Sequence, residues 1–326
     1  MEYPSSIVKT FQVPRGYKYA FVHIAPKDSK PTLLFLPGFP EAAYDWHYQV
    51  DYFKAKGYGL VVPDLLGYGN TDKPKDYREY RMKRIAEDVV SVLEHLQLRE
   101  VVGIGHDWGA AVLAALSAYF PDRFLAYAFT AVGYNPPGRT HPEMVNQITK
   151  QMLGYEAFGY FAFFGTPDAA QYLDGNPDSV NSMLMSEQDP QHWVKNVCPP
   201  GAAKSWLEGR KALPLPGWLK KEDLEAKNRI LSQGFTGPLN YYQQALDPFN
   251  DEDATTVVVK GIPEKPVLFV ADTKPAAMPS EMMEHNTRQH CKNLTVKKLN
   301  TSHWMMLEDP EALNQVLEEF LNGNGF

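Results

Sequence analysis

The residue with the clearest chemical potential is Asp107, an aspartate in a glycine-flanked turn. The apolar run V-V-G-I-G begins at Val101, and an alanine-rich, helix-forming segment follows Asp107. This order predicts a strand, a tight turn and a helix. In the related G-x-S-x-G elbow, the glycines relieve crowding in a sharply bent backbone around a nucleophile. A carboxylate with a reference pKa of roughly 3.9 is ionised at neutral pH. Asp107 can therefore attack carbon directly and form an ester.

Two other interpretations of this turn remain open at this point. Its glycines come within one residue of a dinucleotide-binding G-x-G-x-x-G pattern, but no acidic residue ends the next apolar run, residues 126–130. Asp107 could also simply cap the helix that begins near Trp108, a common role for aspartate. The turn alone does not exclude a capping role for Asp107. Residues elsewhere in the chain that could cooperate with Asp107 are needed to distinguish a nucleophile from a cap.

Residues that could cooperate with Asp107 are expected where other strands end, because an open α/β sheet gathers its reactive groups at the carboxyl ends of strands. Asp272 and His303 each follow a late apolar run, which gives the chain order nucleophile, acid, histidine. A histidine oriented by a carboxylate can activate water against an ester; a purely structural histidine is the alternative. The backbone N–H groups of Trp108 and Phe39 are the expected oxyanion hole.

The elements that must position these groups follow from the apolar pattern. Buried-strand runs alternate with helical spacings, which predicts an α/β fold with a parallel sheet and right-handed crossovers. Between about residues 134 and 250 the chain is rich in aromatic residues and lacks a convincing strand, so we predict a core of residues 1–133 and 251–326 with an inserted helical lid at 134–250. The predicted strands are 17–23, 32–36, 60–63, 101–106, 124–130, 265–272 and 294–299, and the clearest predicted helices are 82–96 and 310–321.

Composition narrows the class of protein. The chain has 326 residues, of which 44% are hydrophobic and 22% charged, as in ordinary globular proteins. Its net charge of −7 argues against nucleic acid or an anionic membrane as a partner. We expect no signal peptide, membrane anchor, metal or cofactor, two unpaired cysteines, and a cytoplasmic location. His285 and His290 have the wrong spacing for a shared metal ion on one helical face.

The motifs resemble those of the epoxide hydrolases of the α/β-hydrolase superfamily, and the resemblance covers nearly the whole chain. P-G-F-P-E at residues 37–41 is similar to the family's H-G-F-P-E loop. G-Y-G-N-T-D-K-P at 67–74 resembles its G-Y-G-x-S-x-x-P turn, and G-H-D-W-G at 105–109 resembles its nucleophile elbow. The resemblance implies an α/β-hydrolase fold and hydrolysis of a small apolar epoxide to a diol.

The resemblance also implies roles for residues of the lid. Segments 160–167 and 237–242 are similar to those that carry two ring-opening tyrosines, which assigns these roles to Tyr160 and Tyr242. An alkoxide is a poor leaving group and needs hydrogen-bond donors as charge develops. The expected substrate pocket is lined by Phe39, Trp108, Phe163 and Trp304.

Two competing functions and two departures from the family accompany this interpretation. A haloalkane dehalogenase could hold a halide on Trp108 and would not need lid tyrosines. An α/β-hydrolase scaffold could also serve as a ligand receptor with little turnover. Pro37 stands where the family has a histidine. Lys274 and Pro275 stand where the family has its late acid, so that Asp272 is the best available partner for His303 but comes early in the chain.

Overall fold

The fold is built on a twisted sheet that is parallel except at one edge. We describe it from a computed structural model, in which residues 3–257, 261–262 and 264–326 can be described. Within these ranges the sheet has eight strands in the order β1-β2-β4-β3-β5-β6-β7-β8; β2 is antiparallel to its neighbours β1 and β4, and the other pairs are parallel. The strands are β1 Val8–Gln12, β2 Lys18–Ile24, β3 Thr32–Leu36, β4 Gly59–Pro63, β5 Val101–His106, β6 Phe124–Thr130, β7 Val267–Asp272 and β8 Leu294–Leu299.

Helices cover both faces of the sheet and make up the long connection between β6 and β7. They are α1 His47–Ala55, α2 Met82–His95, α3 Trp108–Tyr119, α4 Pro142–Leu153, α5 Gly159–Phe164, α6 Ala170–Leu173, α7 Pro177–Met185, α8 His192–Asn196, α9 Ala202–Glu208, α10 Lys221–Leu231, α11 Thr236–Ala245, α12 Phe249–Ala254, α13 Ser280–His290, α14 Met305–Glu308 and α15 Pro310–Gly323. Short 3-10 helices cover Ala43–Trp46, Tyr77–Tyr80 and Pro121–Arg123.

Two apolar layers hold the sheet between its helices. Successive residues of a strand point to opposite faces, so that Leu34 of β3 packs with α2 and α3 whereas its neighbour Phe35 packs with α1 and α15. β3, β4 and β5 are buried along their whole length. This explains why the central strands are continuous apolar runs rather than alternating ones. The rigid centre carries the turn at Asp107.

A third apolar cluster belongs to the helical insertion between β6 and β7. It includes Phe164, Trp206 and Tyr242 from the insertion, and Phe39 and Trp304 from the loops above the sheet. The insertion therefore packs on the carboxyl-end loops, where the sequence places the reactive groups. Among the residues that the structure describes, the insertion contains no named strand.

The fold predicted from the apolar pattern is confirmed, with modest shifts at element ends. The predicted strand at 17–23 is β2, Lys18–Ile24, and the predicted helix at 82–96 is α2, Met82–His95. β1 was not predicted. It is a short edge strand whose residues are partly buried or exposed, and it is held by antiparallel pairing with β2. Within the described ranges, no helix is both long and apolar enough to cross a bilayer.

Candidate active site

Asp107 lies at the bend between β5 and α3, in a conformation that few residues adopt. Its φ of 51° and ψ of −119° fall outside the regions favoured by side chains with a Cβ. The flanking glycines are required by space: a Cβ on Gly109 would overlap the carbonyl of Leu36, and one on Gly105 would overlap the backbone of Gly109. The bend thus lifts the carboxylate out of the sheet into the space below the helical insertion.

The contacts of the Asp107 carboxylate argue against a capping role. Its side chain makes no capping hydrogen bond to the first turn of α3. Oδ1 instead accepts a hydrogen bond from the backbone N–H of Phe39 at 2.7 Å, and Oδ2 lies 3.6 Å from Nε2 of His303. Burial opposes ionisation, but the His303 ring, His106 and the N–H of Trp108 outweigh it, so the pKa of Asp107 lies below its ordinary value. Asp107 is an ionised carboxylate with one oxygen held by a backbone donor and the other facing histidine.

Phe39 presents its N–H from the loop that follows β3. In this loop the carboxylate of Glu41 accepts a hydrogen bond from the N–H of Gly38 at 2.5 Å. Pro37, at the position of the family's histidine, is buried at the start of the same loop. A Cβ on Gly38 would meet the side chain of Asp107, which explains why the loop needs glycine there. The loop therefore brings a backbone donor to the Asp107 carboxylate without a side chain between them.

A buried ion pair that was not predicted supports the elbow from behind. Nδ1 of His106 lies 2.7 Å from Oε1 of Glu41, and both side chains are fully buried. The other ring nitrogen of His106 donates to the backbone carbonyl of His303 at 2.8 Å. Burial would lower the pKa of His106, but the Glu41 carboxylate more than compensates, so the pKa is raised. The His106 ring thus connects the loop after β3, the bend at Asp107 and the His303 segment.

Asp272, the predicted partner of His303, ends β7 and is buried. Its Oδ1 accepts a hydrogen bond from the Ser280 hydroxyl at 2.6 Å. Burial raises the pKa of Asp272, an effect that Ser280 and the nearby His303 oppose. Across the described residues, no hydrogen bond or ion pair joins Asp272 to His303. The carboxylate that lies within ion-pair distance of the His303 ring is that of Asp107. The structure brings the acid near the histidine without direct contact.

Lys274, which stands where the family has its acid, pairs with Glu308 instead. The two charged groups are 3.0 Å apart, and the second oxygen of Glu308 accepts a hydrogen bond from the N–H of Ser302 at 2.5 Å. The N–H of Lys274 also donates to the carbonyl of Thr301 at 3.1 Å. These bonds tie the residues just before His303 to the loop after β7.

Tyr160 and Tyr242, the predicted ring-opening residues, come together from α5 and α11. Their ring centroids are 6.3 Å apart, and Tyr242 lies edge-on to the rings of Phe39 and Trp108 at about 5 Å. Burial raises the pKa of both phenols well above the ordinary value, and the negative charge of Asp107 adds to the shift. Both therefore keep their protons and can donate hydrogen bonds near the Asp107 carboxylate.

The aromatic side chains that pack around Trp108 and Tyr242 differ in part from those expected to line the substrate pocket. Phe161, which was not predicted, packs on both Trp108 and Tyr242, whereas Phe163 packs on Phe164 and Tyr172. Trp304 is buried, and its indole N–H donates to the carbonyl of Leu184 in the insertion at 3.4 Å. In a short helix, the apolar spacing does not tell which phenylalanine faces the site, so a sequence signal for Phe161 is lacking.

The cysteines and potential metal ligands point to no other chemistry in the part of the chain that the structure describes. Cys198 and Cys291 are unpaired and buried, and burial raises the pKa of each thiol to about 12. Such thiols are unreactive at neutral pH. No group of three or more potential metal ligands lies close together in these residues.

Comparison with known proteins identifies the family. Residues 31–310 match the family of the alpha/beta hydrolase fold. The chain is 34% identical over 234 residues to "Epoxide hydrolase 2" of Siraitia grosvenorii, with 68% of each chain covered. It is 28% identical over 312 residues to "Epoxide hydrolase A" of Mycobacterium tuberculosis, with 92% of each chain covered. The solved epoxide hydrolase from an endophytic Streptomyces superposes with a TM-score of 0.80 at 26% identity and covers 97% of this chain and 95% of that one. The chain therefore belongs to the epoxide hydrolases of the α/β-hydrolase superfamily.

Proposed function

We propose that this enzyme converts an apolar epoxide to a vicinal diol through a covalent ester on Asp107, without a cofactor. The observation that carries the proposal is the placement of one ionised carboxylate between a backbone donor, a histidine and two protonated phenols. Each group supplies something that epoxide opening needs: a nucleophile, a base and donors for the leaving oxygen.

In the first half-reaction, Oδ2 of Asp107 forms a bond to an epoxide carbon, and the bond from that carbon to the ring oxygen breaks. The electron pair of the broken bond goes to the oxygen. This oxygen is held by the hydroxyls of Tyr160 and Tyr242 and takes a proton from one of them, which solvent later replaces. Because the phenols keep their protons, the leaving alkoxide meets donors as its charge develops.

In the second half-reaction, His303 removes a proton from water, and the resulting hydroxide adds to the ester carbonyl carbon of Asp107. The carbonyl oxygen becomes an oxyanion that the N–H groups of Phe39 and Trp108 stabilise. When the tetrahedral intermediate collapses, the bond between Cγ and Oδ2 of Asp107 breaks, and Oδ2 leaves as the second hydroxyl oxygen of the diol with the proton that His303 returns. The new carboxyl group releases the remaining water proton to solvent, which restores the carboxylate and balances the proton that the phenol regains.

The substrate class follows from the aromatic side chains around Asp107. Aromatic side chains such as Trp108, Phe161 and Tyr242 surround the nucleophile, and pockets of this kind bind apolar ligands with aryl or alkyl substituents. We infer that residues 134–250 act as the lid over a core of residues 1–133 and 251–326, and that the lid excludes water during ring opening.

A second function, binding of an epoxide-like ligand with little turnover, is favoured by one observation. Asp272 does not contact His303 in the described part of the structure, and Lys274 with its partner Glu308 occupies the region of the family's acid. A histidine without a carboxylate partner activates water poorly. Repeated release of diol by each enzyme molecule would exclude this function.

The test traps the ester. His303→Gln removes the base but leaves Asp107 free to react, so mixing with a styrene-type epoxide should add the mass of one substrate molecule to the protein. Asp107→Ala is the control and should stay unmodified. In the wild-type protein, turnover in ¹⁸O-water should place the label in the Asp107 carboxylate. If no reactive epoxide of a broad panel modifies the His303→Gln protein, the proposal is wrong.

A further inference from the structure

One buried lysine of the insertion contacts both segments that supply ester hydrolysis. Lys227 lies on α10, and its side chain is 3% exposed. Its ammonium group donates to the backbone carbonyl of Pro40 at 3.0 Å and pairs with Asp45 at 2.9 Å. It also lies 4.8 Å from the centroid of the Trp304 ring. Pro40 follows Phe39 in the loop after β3, which is called the Phe39 loop, and Trp304 follows His303 in the His303 segment.

Attachment of α10 to the core does not by itself require this lysine. One turn earlier on the same helix, the buried carboxylate of Asp223 accepts hydrogen bonds from the hydroxyls of Tyr44 and Tyr48. That contact fixes the helix to the 3-10 helix Ala43–Trp46 and to α1, rather than to the Phe39 loop or the His303 segment. A second buried charge is costly unless it is paired and hydrogen-bonded. Lys227 meets this condition with partners on the loops of the site, which indicates a role in placing those loops.

We propose that Lys227 is a positioning residue for the second half-reaction. It fixes the Phe39 loop and the His303 segment relative to each other, so that the oxyanion donor and the general base face the same ester carbonyl. The inference rests on the proposed function and deepens it, because it assigns to a lid residue a step that the lid tyrosines do not perform.

The contacts of Lys227 explain why one step should depend on it more than the other. Ring opening relies on the Asp107 carboxylate and on phenols from α5 and α11, and no described contact connects Lys227 to these groups. Ester hydrolysis relies on the N–H of Phe39 and the ring of His303, which adjoin its partners. Displacement of a transition-state donor slows the step that uses it.

The experiment measures the two steps separately. Rapid mixing with a styrene-type epoxide, acid quenching and intact-mass measurement follow ester formation, and diol release follows hydrolysis. Lys227→Met alone leaves Asp45 buried without its cation and can fail to fold, so the decisive protein is Lys227→Met combined with Asp45→Asn. In this double variant hydrolysis should slow by about tenfold or more while ester formation changes little, so that the ester accumulates during turnover.

Three controls separate positioning from general damage. Asp45→Asn alone should keep the wild-type ratio of the two rates even where it lowers stability, since Lys227 retains its hydrogen bond to the Pro40 carbonyl and its contact with Trp304. Tyr48→Phe weakens the attachment of the same helix at Asp223 and should also leave the ratio unchanged. Lys227→Arg retains a cationic donor and should restore hydrolysis toward the wild-type rate.

The possible outcomes distinguish the two proposals. If the double variant slows both steps equally or only lowers the fraction of active protein, Lys227 has a structural role and the inference is wrong. The same holds if the ratio of rates matches that of Asp45→Asn. If the wild-type protein itself forms no ester and no diol, the proposed function fails first, and that result is seen before any variant is made.

Discussion

The two lid phenols provide the sharpest test of the chemistry, because their loss should affect epoxides and halides differently. Tyr160→Phe and Tyr242→Phe remove one hydroxyl each and keep the rings, of which that of Tyr242 packs with Phe39 and Trp108 and that of Tyr160 packs with Tyr242. The expected loss is in ring opening, the step in which charge develops on the epoxide oxygen. A halide leaves without a donated proton, so a dehalogenase would tolerate both changes.

The magnitude follows from the number of donors and their proximity. A hydrogen bond to a charged group contributes about 1.5 to 3 kcal/mol, and each 1.36 kcal/mol is a factor of about ten in rate. Two phenols with ring centroids 6.3 Å apart can both reach one oxygen, so each partly covers the loss of the other. We expect each single variant to lose about tenfold to hundredfold and the double variant about 10²- to 10⁴-fold in the ring-opening rate.

The assay is single-turnover formation of the Asp107 ester, followed by intact mass, together with steady-state diol and halide release. Tyr241→Phe is the matched control: it lies on the same helix as Tyr242, but its hydroxyl donates to the backbone carbonyl of Leu66 at 3.0 Å. That variant should lose about 1 kcal/mol of stability and keep its ring-opening rate. Wild-type epoxide turnover in the Tyr160→Phe, Tyr242→Phe double variant would refute the assignment.

Two further predictions concern charged side chains other than the proposed reacting groups. Lys274→Asp combined with Glu308→Gln places a carboxylate where the family has its acid and removes the opposing charge; single-turnover diol release should rise about tenfold or more, and an unchanged rate would mean that His303 already has the help it needs. Asp88, buried beside Arg15, has its pKa raised to about 6 by burial, an effect the arginine only partly offsets. Its stabilising contribution is present below its unfolded pKa of about 4 and is lost as the pH rises through 6. Relative to wild type, Asp88→Asn should therefore gain about 2 kcal/mol of unfolding free energy between pH 4 and pH 7.5; urea titrations at the two pH values measure this, and a difference independent of pH would contradict it.

The elements that position the site could be predicted because their signals are local. Continuous apolar runs marked the buried central strands, and glycines around Asp107 marked the bend, since only a turn without neighbouring side chains lets α3 start directly after β5. β1 escaped prediction because a half-exposed edge strand is stabilised by its pairing with β2, a contact that its own five residues do not encode.

The contacts between segments were decided by the tertiary structure. Glu41 and His106 are 65 positions apart in the chain, and neither residue type nor spacing indicates that they form a buried pair. The direction of a side chain in a short helix depends on how that helix packs, which is why Phe161 rather than Phe163 contacts Trp108. The sequence of α10 is that of an amphipathic helix and predicts a solvent-exposed lysine at position 227, whereas Lys227 is buried in the structure.

The sequence by itself determined the nature of the reacting groups and the strand ends on which they lie, because residue chemistry and short-range periodicity are properties of the chain. The tertiary structure decided which groups touch. Asp107 meets the N–H of Phe39 and the ring of His303, whereas Asp272 bonds to Ser280. Displacements of about an ångström separate a hydrogen bond from a mere neighbour, and distances on that scale are set by the packing of the whole fold.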